Sequence, residues 1–251
     1  MNLDELRERL TSLDKKIIEI IGERQSIVSE IGQYKQQVGR ATRDYERESV
    51  VLNLAKDNAL KAGIDPKLAK EVLQLLILSS LTNQERARVE AEGKGNGRKV
   101  LVIGGAGKMG HWFVDFFNSQ GFTTFVADKS LDTQARSFSD WRDAGIDYDV
   151  IVIATPIKVS ATILHELAEM EPKSLIFDIG SLKTPLRDGL NAMISKNCLI
   201  TSIHPMFGPG AELLSGKHLI FIDVGNEIAT KKAKELFSAT MVKQLDMDID
   251  N

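Results

Sequence analysis

Apolar residues at positions 3, 6, 10, 13, 17, 20, 27, 31, 34 and 38 alternate spacings of three and four. That is the seam of one long amphipathic helix over residues 2 to about 38. At 1.5 Å per residue it is roughly 55 Å long, more than a small domain needs, so a partner helix from a second chain is expected. Position 24 lies on the same seam but is Arg24, and a guanidinium facing apolar residues is costly unless it meets an anion. Arg7 and Lys35 are four heptads apart (35 − 7 = 28) and share one flank of the helix. Gly39 closes the helix. A second helix follows, with Asp44, Arg47 and Glu48 at i, i+3 and i+4 on one face. Gly63-Ile64-Asp65-Pro66 is a stop and restart, with Asp65 as cap and Pro66 in the first turn of a third helix over about 66 to 90. Ser80 and Gln84 are i, i+4 neighbours on it. Residues 91–98 then form a polar linker with glycines at 93, 95 and 97, which ends this helical domain.

From residue 99 the period changes. Short apolar runs at Val100–Ile103, Thr123–Ala127, Asp149–Ala154, Ser174–Asp178, Cys198–Ile203, Leu219–Val224 and Met241–Leu245 alternate with amphipathic stretches. This rhythm predicts an α/β Rossmann domain over 99–251, a doubly wound parallel sheet. Such sheets bind ligands outside the C-terminal strand ends. Thr155-Pro156, Ser181 and His204 each follow a strand directly and are expected to line that crevice. Lys183 reads as a solvated lysine or a substrate or phosphate contact.

The first of these strands runs into Gly105-x-Gly107-x-x-Gly110, with Lys108 and Met109 between the last two glycines. The first glycine permits a tight bend, and the second lets a pyrophosphate approach the backbone. The third seats the helix on the strand with its N-terminal N–H groups aimed at the phosphates. The next strand ends in Asp128, 128 − 107 = 21 residues past the middle glycine. An acid at about that distance binds the ribose 2′-hydroxyl of NAD. Lys129 beside it leaves room for a 2′-phosphate. Thr155 and Pro156 complete the expected cofactor contacts.

The chain has 251 residues, is 43% hydrophobic and carries a net charge of −3. Nothing in that balance calls for nucleic acid or a membrane surface as partner. The one cysteine, Cys198, excludes an intrachain disulfide and any cysteine-cluster metal site, and suits a reducing compartment. No apolar run is long enough to span a bilayer, and Met1-Asn-Leu-Asp-Glu lacks a signal-peptide layout. No metal is expected, and the cytoplasm is the expected compartment.

The first 90 residues resemble the all-helical chorismate mutase family. The likeness lies in Leu6-Arg7, Glu23-Arg24, Gly32-x-x-Lys35, Arg43-Asp44-x-x-Arg47-Glu48 and Ser80-x-x-x-Gln84. The resemblance implies three helices interlocked with those of a second chain, as a homodimer. It implies that Arg24, Arg47 and Arg7, the last from the other chain, hold the carboxylates of chorismate. Lys35 and Gln84 would bond the ether oxygen of the breaking C–O bond. Glu48 and Asp44 would face the ring hydroxyl, and Ser80 a carboxylate. Rearrangement of chorismate to prephenate is pericyclic and needs no nucleophile or base. A folded substrate and cations near the developing negative charge are what accelerate it.

Residues 98–250 resemble the prephenate dehydrogenase family, through the glycine loop, Asp178-Ile-Gly-Ser181-Leu-Lys183 and His204-Pro-Met-Phe-Gly-Pro209. By that resemblance His204 takes the proton of prephenate's ring hydroxyl as hydride leaves for NAD. Ser181 bonds the same hydroxyl or orients His204. A neutral imidazole suits that work near pH 7. The family continues past the sheet with a helical domain that closes the cleft, and this sequence ends about where that domain begins. The expectation is therefore a bifunctional enzyme of tyrosine biosynthesis. The alternatives are an active mutase whose second half only binds cofactor, an arogenate dehydrogenase, and a non-enzymatic NAD-sensing helical dimer.

Overall fold

A computed structural model describes residues 2–249. The chain divides into two compact units, one up to Glu85 and one from Arg86 on. The division falls inside a helix. The first unit holds α1 (Leu3–Gln37), α2 (Tyr45–Ala62) and most of α3 (Pro66–Ala91). Each boundary has a local cause. Asn2 and Glu5 form a reciprocal capping box at the start of α1, with bonds of 2.9 and 3.0 Å. Asp44 caps α2 through Arg47 N–H at 2.9 Å, and Gly63 ends it in the left-handed conformation, φ +67°. Asp65 accepts Lys67 N–H at 2.9 Å and opens α3 just ahead of Pro66. None of the described side chains of α1 is buried, and its seam residues Leu3, Leu6, Leu10, Leu13, Ile17, Ile20, Ile27 and Ile31 are all exposed.

The second unit is built on an eight-stranded sheet in the order β3-β2-β1-β4-β5-β6-β7-β8. Its strands are β1 (Lys99–Ile103), β2 (Thr123–Ala127), β3 (Ser137–Phe138), β4 (Val150–Ile153), β5 (Leu175–Asp178), β6 (Leu199–Pro205), β7 (His218–Asp223) and β8 (Lys243–Asp248). The helices are α4 (Lys108–Ser119), α5 (Trp141–Ala144), α6 (Ile157–Met170), α7 (Arg187–Ser195) and α8 (Glu227–Leu236). The central strands are buried on both faces. Val100, Val102, Val152 and Phe177 pack with Phe113 and Phe117 of α4 and Ala229 and Ala233 of α8. Leu101, Ile151, Ile153 and Ile176 pack with Leu164 and Leu167 of α6 and Leu190 and Met193 of α7. Continuous β-branched runs therefore mark strands covered by helices on both sides.

The sheet corrects the sequence reading in three places. It is not wholly parallel, because β7 runs antiparallel to β6, with His204 opposite Ile220. The strand β3 and the one-turn α5, between Asp128 and Asp149, carry too little periodicity to be read from sequence. His204 lies inside β6 rather than after it, since the ladder to β7 extends through Pro205.

The glycine-spaced stretch before β1 is held in place. Gly95 N–H donates to Gln120 O and Gly97 N–H to Gly121 O, both at 2.9 Å. A Cβ on Gly95 would lie 2.6 Å from Gln120 O. Val89, in the last turns of α3, is buried with Phe117 and Phe122. Among the described residues no helix is long and apolar enough to cross a membrane.

Candidate active sites

In the helical unit α1, α2 and α3 line an open cavity of about 290 Å³. Its wall includes Arg24, Lys35, Asp44, Arg47, Glu48, Ser80 and Gln84. Seven of the eight residues expected in the mutase-like site are thus brought together. Arg7 is not among them. It is exposed and pairs with Asp4 at 3.3 Å, one turn away on its own helix.

The polar groups are fixed by the backbone around them. Lys35 Nζ donates to Thr42 O at 3.0 Å, which leaves two of its three N–H groups. Gln84 Nε2 donates one of its two hydrogens to Val28 O at 2.9 Å. The backbone of Gly32 allows this approach, since a Cβ there would lie 3.1 Å from the Gln84 side chain. Arg24 Nη1 donates to Ser80 Oγ at 3.1 Å and reaches Leu76 O at 3.4 Å. Its seam position is therefore answered by polar atoms of α3.

Two details differ from the sequence expectation. Asp44 is the N-cap of α2, just outside the helix, so one carboxylate oxygen is already engaged by Arg47 N–H. Glu48 is held two-pronged by Arg43, at 2.9 and 3.0 Å, and this bond keeps the Arg43 guanidinium firmly protonated. Arg43 also lies over the Tyr45 ring, 4.5 Å from its centre. The resemblance assigns no role to Arg43. The signal available was its place directly before the capping Asp44, five residues ahead of Glu48. With Glu48 neutralised, Arg24, Lys35 and Arg47 leave the cavity cationic.

In the second unit the C-terminal ends of β1, β2 and β4 open onto a cavity of about 570 Å³. It is lined by Gly107, Asp128, Thr155 and Pro156, and also by Trp141 and Arg142, which the sequence reading did not single out. Gly105, Lys108, Met109 and Gly110 do not line it. Gly110 serves packing: a Cβ there would lie 2.7 Å from Gly105 Cα, so only glycine seats α4 on the turn. Gly105 is buried against Val126, where a Cβ would come within 2.6 Å. Gly104 takes φ +84°, a conformation that glycine adopts freely. No side chain caps α4 at Gly107, so its first N–H groups have no side-chain partner at the cap. Asp128 is oriented by its own turn, Oδ1 accepting Ser130 N–H at 3.0 Å and Ser130 Oγ at 2.8 Å, which leaves Oδ2 open.

Neither Ser181 nor His204 lines that cavity. Ser181 is exposed, and among the described residues no hydrogen bond joins it to His204. His204 is half-buried. Burial lowers its pKa, the Lys183 charge lowers it further, and Asp178 opposes both. Lys183 is the clearest correction. It is buried, not solvated, with Nζ 2.9 Å from both Asp178 Oδ2 and Ile203 O. Burial depresses its own pKa against the attraction of Asp178. After His204 the loop is tied to α4, where Trp112 Nε1 donates to Ala211 O at 3.0 Å and its ring meets Phe207 at 5.0 Å.

Residues 6–85 match the family model for chorismate mutase type II, and residues 125–243 that for the prephenate dehydrogenase nucleotide-binding domain. Each match covers less than half of the chain, and the two regions are similar to these two families. It is similar to the T-protein of Enterobacter agglomerans, with 28% identity over 88% of this chain and 57% of that protein. It is also similar to the T-protein of Haemophilus influenzae, 27% identical over 82% of this chain and 52% of that one. The chain thus spans about half the length of these curated relatives. Among solved structures, an imine reductase from Myxococcus stipitatus in complex with NAD+ superposes with a TM-score of 0.51 at 20% identity. It covers 61% of this chain and 55% of that one, a likeness of fold. The nucleotide-binding match implies a nicotinamide dinucleotide, and the uncapped α4 N-terminus, the Gly110 packing and the oriented Asp128 fit one.

Proposed function

We propose that the chain rearranges chorismate to prephenate in its helical unit and oxidises prephenate with NAD in its second unit. The result, after decarboxylation, is 4-hydroxyphenylpyruvate for tyrosine biosynthesis. The observation that carries this reading is the convergence of Arg24, Lys35, Arg47, Ser80 and Gln84 on one cavity within the region that matches chorismate mutase. Arg24 and Arg47 hold the substrate's carboxylates and thereby its folded conformer. Lys35 and the free N–H of Gln84 stabilise the ether oxygen as negative charge develops there. Asp44 and Glu48 face the ring hydroxyl. The exposed apolar seam of α1 supports a second copy as the partner, whose Arg7 completes the site.

In the second unit the N–H groups at the start of α4 hold the pyrophosphate and Asp128 the ribose. A nicotinamide dinucleotide held there would supply the hydride acceptor for the oxidation. His204, held neutral near pH 7 by burial and by Lys183, accepts the proton of the ring hydroxyl. Asp128 supports NAD over NADP, because its carboxylate bonds a 2′-hydroxyl and repels a 2′-phosphate. The buried Cys198 suits a reducing compartment, the cytoplasm.

The test uses the purified chain, with chorismate loss followed by absorbance and NAD+ then added to look for NADH. Loss of chorismate followed by NADH supports both activities. Loss without NADH supports the mutase alone and reduces the second unit to cofactor binding. Chorismate left intact overturns the mutase reading.

A further inference from the structure

We infer that Gln25, which lies outside the cavity wall, is a positioning residue for Arg24 and acts through the hydroxyl of Ser80. The inference rests on reading that cavity as a chorismate site. Ser80 is 5% exposed, so protein groups must satisfy its hydroxyl. Three of them converge on Ser80 Oγ: Arg24 Nη1 donates to it at 3.1 Å, while Leu76 O lies at 2.6 Å and Gln25 Oε1 at 2.8 Å.

A hydroxyl carries one proton, so the two carbonyl oxygens compete for it. Leu76 O is the more crowded of the two. As the i−4 partner of Ser80 in α3 it faces the helical N–H, the Ser80 hydroxyl, and Arg24 Nη1 at 3.4 Å. Three donors exceed its two lone pairs. Gln25 relieves the excess by offering Oε1 to the Ser80 proton, so that both Leu76 O and Ser80 Oγ remain open to the guanidinium. The sense of the Gln25 amide is set from its far side, where Nε2 reaches Ser79 Oγ at 3.5 Å. Adjacent residues on α1, Arg24 and Gln25, thus meet adjacent serines on α3. Without Gln25 the hydroxyl turns wholly onto Leu76 O, and Arg24 loses the fixed aim that binding a carboxylate requires.

The test measures KM and kcat for chorismate across pH in the full chain, for wild type, Gln25→Leu and Gln25→Glu. Because Arg24 holds a carboxylate that is unchanged by the reaction, its misalignment weakens binding throughout. Gln25→Leu is expected to raise KM about five- to tenfold, the size of one lost hydrogen bond, with kcat within about twofold. Gln25→Glu is expected to raise KM more at neutral pH, because its carboxylate attracts Arg24 and repels the anionic substrate. That excess should disappear as the introduced carboxyl protonates, toward about pH 4. A structural staple between α1 and α3 would show no such pH dependence. The inference is overturned by a Gln25→Leu KM within twofold of wild type, or by a kcat loss at unchanged KM. If Gln25→Leu does not fold, a Gln25→Glu KM that follows the wild-type pH profile overturns it. A wild-type chain that leaves chorismate intact is a separate result, which removes the mutase reading and this inference together.

Discussion

Lys183 sits 8% exposed against Asp178, which is wholly buried, and also donates to Ile203 O beside His204. Replacing Asp178 by Asn leaves a buried cation without its counter-charge, and the expected loss of stability is about 3–5 kcal/mol, read from urea denaturation. The depressed pKa of His204 has a defined sign. The unfolded imidazole binds a proton at about pH 6.5, while the folded one binds it only at lower pH. Its contribution to stability is complete above about pH 6.5 and is lost as pH falls through the folded value. The urea midpoint should therefore drop less between pH 7 and pH 5 in His204→Gln than in wild type. In the helical unit, Arg24→Ala is expected to lower mutase kcat/KM by about two to three orders of magnitude, as loss of a central electrostatic contact does. Arg24 was legible in sequence because a cation interrupts an otherwise apolar seam. Lys183 was not, because nothing local distinguishes a solvated lysine from one that folds back onto two strands.

At the scale of elements, the stop and restart between α2 and α3 is readable and the cross-strand partners are not. Gly63 and Asp65 act within a few residues of themselves, so their roles follow from position alone, whereas Asp44, which its spacing places inside α2, caps that helix from just outside. The reversal of β7 depends on which neighbour it pairs with, and a run of apolar residues carries no direction. The glycines of the stretch 93–97 suggest a linker by spacing, but Gly95 meets a steric demand instead. Gly95 passes so close to Gln120 and Gly121 that a side chain does not fit. Gly95→Ala is expected to destabilise the second unit by about 1–3 kcal/mol, the range for overpacking, in thermal or urea denaturation. A free tether would tolerate it without change. Gly110→Ala should do at least as much and also weaken NAD+ binding measured by calorimetry, since it lifts α4 off the glycine turn.

For the molecule as a whole, α1 is the unusual feature. It is 35 residues long, and its seam of Leu and Ile is exposed from Leu3 to Ile31. A contiguous apolar surface of that kind marks an interaction site. Under the proposed pairing of two copies, sedimentation should give a dimer for the wild type. Ile17→Glu should give a monomer with little mutase activity, because Arg7 then has no second site to enter. What the sequence determined by itself were properties carried by short-range pattern. These are the helical period of the first 90 residues, the alternation of strands and helices after them, the stop and restart at Gly63 and Asp65, and the glycine turn with its acid 21 residues on. These are legible because hydrophobic spacing and backbone sterics act over a few residues. Tertiary structure alone decided which polar groups meet. It put Arg43 on Glu48, Gln25 on Ser80, Lys183 on Asp178, and His204 inside a strand rather than beyond its end. Each of those contacts depends on where a side chain's polar atoms lie once the backbone has closed around it, and residue spacing along the chain does not encode that.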